Sequence, residues 1–292
     1  MIIITGATGQ LGQQVITSLR QYIPSNQIVA SVRDTTKATQ ALGNDIQVRA
    51  GDFTQPDDLK TTFSGASQVL IVSVDKVGKA ATDMHRAAIR AAREARTDRI
   101  LYTSHQGARL DSSFAAAHDH AVTEQFLADG TTPFTALRHG FYAESALHMV
   151  GPGLKNGELR VPEDGPISWT ARADLAAADA AILANPGHID GISPALTGTE
   201  TYTMADLARL ASEESGREIK HVPVSDEEWL AATEARGVPK VYAEMLLGTF
   251  LAARRGDFAV VDPTLEKLIG RPPQGMREIL RHYLQNATSA YH

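Results

Sequence analysis

Met1-Ile-Ile-Ile-Thr-Gly-Ala-Thr-Gly-Gln-Leu-Gly-Gln13 opens the chain, and its reading decides the fold. Ile2, Ile3 and Ile4 form a short β-branched run, too brief to span a bilayer and suited to a strand buried on both faces. Glycines follow at 6, 9 and 12, and Val15, Ile16 and Leu19 then fall at helical spacing. A strand that ends in a glycine turn and opens a helix is the setting in which such spacing signals a nucleotide site. Gly6 lets the chain leave the strand tightly, and Gly9 has no Cβ to hold the backbone off a pyrophosphate. Gly12 is expected to let the helix pack closely on the sheet. With Ala7, Thr8, Gln10 and Leu11 they make a turn whose helical N–H groups face an anion. The bland alternative is a purely structural β–α turn.

Working outward, Gln27-Ile-Val-Ala-Ser-Val32 is the second strand and ends at Arg33, 21 residues after Gly12. There a doubly wound nucleotide fold meets the adenosine ribose. A carboxylate would select NAD, whereas an arginine accommodates the 2′-phosphate of NADP. The spacing therefore predicts NADPH as cofactor, with NADH weaker, although Asp34 could turn inward instead. Ile46 to Ala50 is a third strand running into Asp52 and Phe53, placed to touch adenine unless Asp52 only stabilises its turn. Thr54 is expected to cap a short helix with Pro56 in its first turn.

Strand four, Val69 to Val74, leads into Lys76, so Ser73, Val74 and Lys76 should line the crevice at the sheet's carboxyl edge. A long helix over 80–96 precedes strand five, Arg99-Ile-Leu-Tyr-Thr-Ser104. A helix from about Phe114 to Ala128 and strand six, Pro133 to Leu137, come next. Six strands alternating with helices predict a Rossmann-like, doubly wound parallel sheet over residues 1–150. Beyond 150 the alternation loosens, and Gly151-Pro-Gly153 reads as a turn. Helices follow over Arg172 to Ala184, after Thr203 and Ser225 with their capping patterns, over 240–254, and over 264–285 with a break at Gly270 to Pro273. Residues 151–292 thus read as a smaller, mostly helical substrate-side cap, part of which returns to the core sheet.

Composition limits the partners. An apolar fraction of 43% over 292 residues supports a sizeable core, and a net charge of −6 with mixed signs leaves no basic footprint for nucleic acid. No apolar stretch approaches a membrane span and no signal peptide is expected. The absence of cysteine excludes disulfides and thiolate chemistry and fits a cytoplasmic protein. His118, Asp119 and His120 do not make a metal site, because i and i+2 face different sides of a helix.

Several segments together resemble the NmrA-like atypical short-chain dehydrogenase/reductases, within them the branch of type 2 NAD(P)H:quinone oxidoreductases and triphenylmethane reductases. These are Ile4 to Gly12, Gln27 to Arg33, Tyr102-Thr-Ser104, His120-Ala-Val-Thr-Glu124, Leu137-Arg-His-Gly-Phe-Tyr142, Thr170-Ala-Arg-Ala-Asp174 and Leu268-Ile-Gly-Arg-Pro272. The resemblance implies an NADPH-dependent, flavin-free reductase for a quinone-like small molecule, working as monomer or homodimer. It makes Arg33 the residue of NADPH preference and adds Thr103 to the cofactor contacts. Related proteins commonly carry Asn where this chain has His139.

Ordinary members of the superfamily use a tyrosine acid/base with a lysine four residues later, and none of the seven tyrosines here has one. Aligned on the family's helix, His120 takes the lysine's place and Ala116 the tyrosine's. An unactivated alcohol or ketone substrate is therefore disfavoured. A quinone is already electrophilic and chiefly needs to be held against the nicotinamide with water excluded. Candidate catalytic residues are Ser104, His120 and Tyr142. Ser104 could equally cap a turn, and His120 could be a satisfied helix histidine. The backbone of His139, Gly140 and Phe141 is placed to hold the carboxamide. His105, Tyr142 and Trp169 are the substrate candidates; the bland readings are a surface-loop histidine for His105 and inter-lobe packing for Trp169. The competing function is a non-catalytic NADP-binding redox sensor that regulates a partner.

Overall fold

A computed structural model describes residues 1–289, so the last three residues of the expected 151–292 segment lie outside the described residues. The first half runs β1 (Ile2–Thr5), α1 (Gln10–Leu19), β2 (Ile28–Val32), α2 (Thr35–Leu42), β3 (Gln47–Ala50), α3 (Pro56–Thr62) and β4 (Gln68–Ile71). It continues with α4 (Lys79–Glu94), β5 (Arg99–His105), α5 (Ala115–Ala128), β6 (Phe134–His139) and β7 (Phe141–Tyr142). The second half holds α6 (Ala143–Asn156), β8 (Glu158–Pro162), β9 (Trp169–Thr170), α7 (Arg172–Ala184), β10 (Gly191–Ile192) and α8 (Met204–Ser215). It ends with β11 (Lys220–Val224), α9 (Asp226–Ala235), α10 (Lys240–Arg254), α11 (Thr264–Ile269) and α12 (Met276–Ser289).

Seven parallel strands form the central sheet in the order β10-β6-β5-β4-β1-β2-β3. The apolar runs of β1, β2 and β4 are buried along their whole length, as helices on both faces require. From β1 the chain winds outward to β2 and β3, then returns to lay β4 on the other side of β1. The order reverses there, and a crevice opens outside the carboxyl ends of β1 and β4.

One face of the sheet is covered by α1 through Leu11, Val15, Ile16 and Leu19, together with α7 through Leu175, Ile182 and Leu183. The α11 residue Leu265 joins the same cluster, and β10 pairs with β6 at the edge of the sheet. A separate apolar cluster gathers Leu147, Leu159, Trp169, Leu210, Phe250 and Phe258, and Phe114 and Phe141 join it from the sheet's carboxyl edge.

Three local expectations are corrected. Gly151-Pro-Gly153 is not a turn but lies inside α6, which ends at the left-handed Gly157 (φ +78°). The buried face Ala143, Ala146, Leu147, Val150 and Gly153 carries the helix through the proline, and a Cβ on Gly153 would sit 3.2 Å from both Leu159 and Ile219. Thr54 caps nothing; its N–H and hydroxyl donate to Asp52, and Gln55 holds the N-cap position of α3. Strand four ends at Ile71 rather than Val74 because side chains replace the ladder beyond it.

Candidate active site

The β1–α1 turn is held by sterics. Gly6 adopts φ +57°, and the Gly9 N–H donates back to the Gly6 carbonyl at 2.8 Å. A Cβ on Gly12 would lie 2.4 Å from the Gly6 oxygen and 2.8 Å from the Ala7 Cα, both backbone atoms. The close packing that Gly12 permits is therefore against the turn itself. No side chain caps α1 and no carboxylate lies in its first turn, so its N-terminal dipole is free for an anion. Outside the turn, Gln13 donates to the Thr8 carbonyl and Arg172 donates to the Gln10 side chain at 2.6 Å.

Hydroxyls and an imidazole then open the sheet. Beyond Ile71, the N–H of Val72 donates to Thr5 Oγ1, that of Ser73 to Thr103 Oγ1 and that of Val74 to His85 Nε2, at 2.8 to 3.1 Å. Side chains take the place of strand partners, and β4 parts from its neighbours just where the crevice is needed. Thr103 is 1% exposed and shapes this edge from within the sheet.

At the carboxyl end of β2, Arg33 is exposed, makes no hydrogen bond or salt bridge among the described residues, and lines an open cleft with Gly51, Asp52 and Arg49, its charge acting on Asp52. Asp34 does not turn inward; it caps α2 by accepting the N–H groups of Thr36 and Lys37. Asp52 serves its own turn, and the N–H and hydroxyl of Thr54 hold its carboxyl below the ordinary range. Phe53 is half-buried against the core, and Lys76 is exposed.

On the acceptor side the structure overturns several sequence expectations. Ser104 is buried and donates to Glu124 at 2.6 Å, while Glu124 holds Arg138 through both oxygens at 2.9 and 2.7 Å. Its hydroxyl hydrogen is thereby spent on Glu124 and is not the substrate donor. The His139 ring turns into the protein to meet Asp179 at 2.8 Å, both fully buried, and its carbonyl accepts the Gln106 N–H. The Gly140 N–H donates to the Leu196 carbonyl at 2.7 Å, leaving none for a carboxamide. A Cβ there would lie 2.2 Å from Thr170 Oγ1 and 2.8 Å from the Leu196 oxygen. Trp169 does not roof the pocket: it is 3% exposed, meets Phe141 edge-on and donates to the Tyr202 carbonyl, as inter-lobe packing requires. Tyr142 remains half-exposed beneath the Arg172 guanidinium, 4.8 Å from its ring centre, and burial keeps its phenol protonated well above the ordinary range.

His105 is no surface-loop residue. It is half-buried in a box of Phe114, Phe141, Phe258 and His120, and its Nδ1 accepts the Gly107 N–H at 3.0 Å. Burial, with His139 adding, pulls its pKa down to about 3. His120 lies parallel to it at 6.1 Å and accepts or donates at Tyr102 Oη, 2.7 Å from Nδ1. Behind them His85 touches both Tyr102 and Thr123. Sequence reasoning missed Tyr102 and His85. A signal existed: residues two apart on β5, Tyr102 and Ser104, meet residues four apart on α5, His120 and Glu124, because the strand and helix repeats advance about 6 to 7 Å alike. Among the described residues no cluster of three metal-ligating side chains occurs; His118 pairs with Asp119 at 3.6 Å.

Comparison with known proteins agrees with this geometry. A family profile described as NAD(P)H-binding matches residues 6–186. Quinone oxidoreductase 2 of Escherichia coli is 36% identical over 97% of this chain and 98% of its own. Its NADPH complex superposes with a TM-score of 0.91 over 97% of this chain and 100% of that one, at 35% identity. The NADP(H) complex of Citrobacter sp. triphenylmethane reductase gives 0.89 at 31% identity, over 97% and 99%. NmrA, a negative transcriptional regulator, shares the fold at 18% identity and a TM-score of 0.75, over 99% and 97%. The chain belongs to the NAD(P)H-binding family, and within it is similar along nearly its whole length to quinone oxidoreductase 2 and triphenylmethane reductase.

Proposed function

We propose that this protein is an NADPH-dependent oxidoreductase that reduces a quinone or similar conjugated small molecule without flavin. One observation carries the cofactor choice: Arg33, without a hydrogen bond or salt bridge among the described residues, lines the cleft at the end of β2, while the neighbouring carboxylate is consumed as a helix cap. The residues fit a dinucleotide, since Gly12 leaves a cradle that a Cβ would fill and the uncapped α1 terminus offers N–H groups to a pyrophosphate. Gly6 to Gly12 would hold the pyrophosphate and Arg33 the 2′-phosphate, and the bound nicotinamide would supply the hydride.

The protein's part is positioning. Phe114, Phe141 and the fully buried Phe258 pack about His105 at the carboxyl edge, an apolar backing behind the half-buried imidazole that suits a planar acceptor. With Ser104 committed to Glu124 and Tyr142 lacking a lysine partner, the site has no ordinary proton-transfer pair among the described residues, which suits an acceptor that water protonates after reduction. The similarity to quinone oxidoreductase 2, far closer than that to NmrA, favours turnover over pure sensing.

Loss of NADPH absorbance in the presence of a quinone panel tests the reading. Steady oxidation with at least one quinone, and little with saturated ketones, is expected. Tight NADPH binding without turnover on any acceptor would replace the reductase by a redox sensor.

A further inference from the structure

The hydrogen bonds around Tyr102 have a readable direction. The Val74 N–H donates to His85 Nε2 at 3.1 Å, and a main-chain N–H cannot reverse. A neutral His85 then carries its hydrogen on Nδ1, facing Thr123 Oγ1 at 3.1 Å and Tyr102 Oη at 3.3 Å. Thr123 spends its own hydrogen on the Asp119 carbonyl at 2.8 Å. Two acceptors then remain for the Tyr102 hydrogen, Thr123 Oγ1 and His120 Nδ1. The Thr123 oxygen already faces His85 Nδ1–H, and the ring nitrogen of His120 is the stronger acceptor at the shortest contact, 2.7 Å, so the hydrogen goes to His120. A neutral His120 must then bear its hydrogen on Nε2, which has no protein partner among the described residues and belongs to a half-buried ring beside His105. Burial keeps this assignment intact: His85 and His120 are pushed towards the neutral form, and Tyr102 stays a phenol far above its usual range.

We propose that His120 donates its Nε2–H to the carbonyl oxygen of the bound acceptor, and that Tyr102 and His85 are positioning residues that hold it in that tautomer. This rests on the quinone-reductase reading. When the acceptor ring gains a hydride, its electron pair moves onto the carbonyl oxygen, and the aimed N–H stabilises that oxyanion. A neutral imidazole serves as such an electrophile without giving up its proton. Once the reduced acceptor leaves the site, water protonates the oxyanion and the added ring hydrogen shifts as a proton to the second oxygen, which gives the hydroquinone and leaves no protein group altered.

Histidine-labelled protein read by long-range proton–nitrogen correlation reports the tautomer without turnover. The expected spectrum shows His120 as the Nε2–H form, and Tyr102→Phe should turn it into a mixture. Kinetically, Tyr102→Phe should lower kcat with a quinone about tenfold, the effect of one hydrogen bond to a developing charge, with NADPH affinity unchanged. His120→Gln keeps an amide N–H near the Nε2 position but loses the ring nitrogen that Tyr102 holds, so kcat falls because the donor is no longer fixed, and Tyr102→Phe added to it costs nothing further. A His120 found as the Nδ1–H form overturns the proposal. So does an equal loss from Tyr102→Phe in both backgrounds, which would mark a merely structural tyrosine. Should Tyr102→Phe not fold, the wild-type spectrum decides alone. Wild-type protein inactive with every quinone defeats the functional reading instead, and the spectrum still judges the lock.

Discussion

The two walls of the crevice are built by different means. On the β1–α1 side the backbone does the shaping: Gly6, Gly9 and Gly12 fold on one another, and no side chain enters their contacts closely enough to matter. On the β5–α5 side the backbone is ordinary and the side chains do everything. His85, Tyr102, His105, His120 and Phe258 come from four regions of the chain and meet in one cluster of rings, buried at His85, Tyr102 and Phe258 and half-buried at His105 and His120. A wall of backbone is sensitive to added volume and indifferent to pH. A wall of buried imidazoles has the opposite sensitivities.

Acid should separate the two most sharply. His85 has its pKa lowered by burial from 6.5 to about 4, and His105 to about 3. Between those values and 6.5 the unfolded chain binds more protons than the folded one, so stability rises with pH and is lost as pH falls below about 6.5. His85 alone should cost about 3 kcal/mol by pH 4. Asp164, raised to about 6 by burial, works in the other direction over part of that range but is one group against the cluster. Denaturant titrations at pH 7, 5.5 and 4.5 check this. His85→Gln should flatten the profile, and an unchanged slope would mean that the imidazoles are not held neutral.

Added volume should act on the other wall. Gly12→Ala places a methyl against two backbone atoms that have no rotamer to escape into, at a cost of about 2 kcal/mol in folding. NADPH affinity should fall with it, because relief of the clash must displace Gly6 or Ala7. Gly9→Ala, whose Cβ would lie 3.1 Å from the Gly6 oxygen, should cost much less. Equal effects at the two positions, by denaturation and NADPH titration, would show that the turn is softer than its contacts imply.

The same contrast explains what was legible in the sequence. Turn and strands are local patterns, so apolar runs located β1, β2 and β5 within a residue or so, and glycine spacing put a helix directly after the first turn. The side-chain wall is not local. That Ser104 would be consumed depends on Glu124 lying one helix away, and the inward turn of His139 depends on Asp179, 40 residues on. Gly140 loses its N–H to Leu196, a partner that only the return of β10 to the sheet edge brings near. Even the end of β4 was misplaced for this reason, since Thr5, Thr103 and His85 take over its N–H groups from outside the segment.

One pair of neighbours carries both kinds of effect and allows the smallest test. Arg33 makes no hydrogen bond or salt bridge among the described residues and lines the cleft, whereas Asp34 is bound to the first turn of α2. Asp34→Ala removes a helix cap and should cost about 1 kcal/mol in folding, leaving the preference for NADPH over NADH unaltered. Arg33→Asp should do the reverse, scarcely touching stability while cutting that preference by about tenfold, as a lost charge-assisted contact would. Dissociation constants for the two dinucleotides, measured beside denaturation midpoints, place both variants on one plot. If Asp34→Ala moves the cofactor ratio, the carboxylate leaves its cap when a ribose arrives, and the division between a structural and a recognising residue at this strand end dissolves.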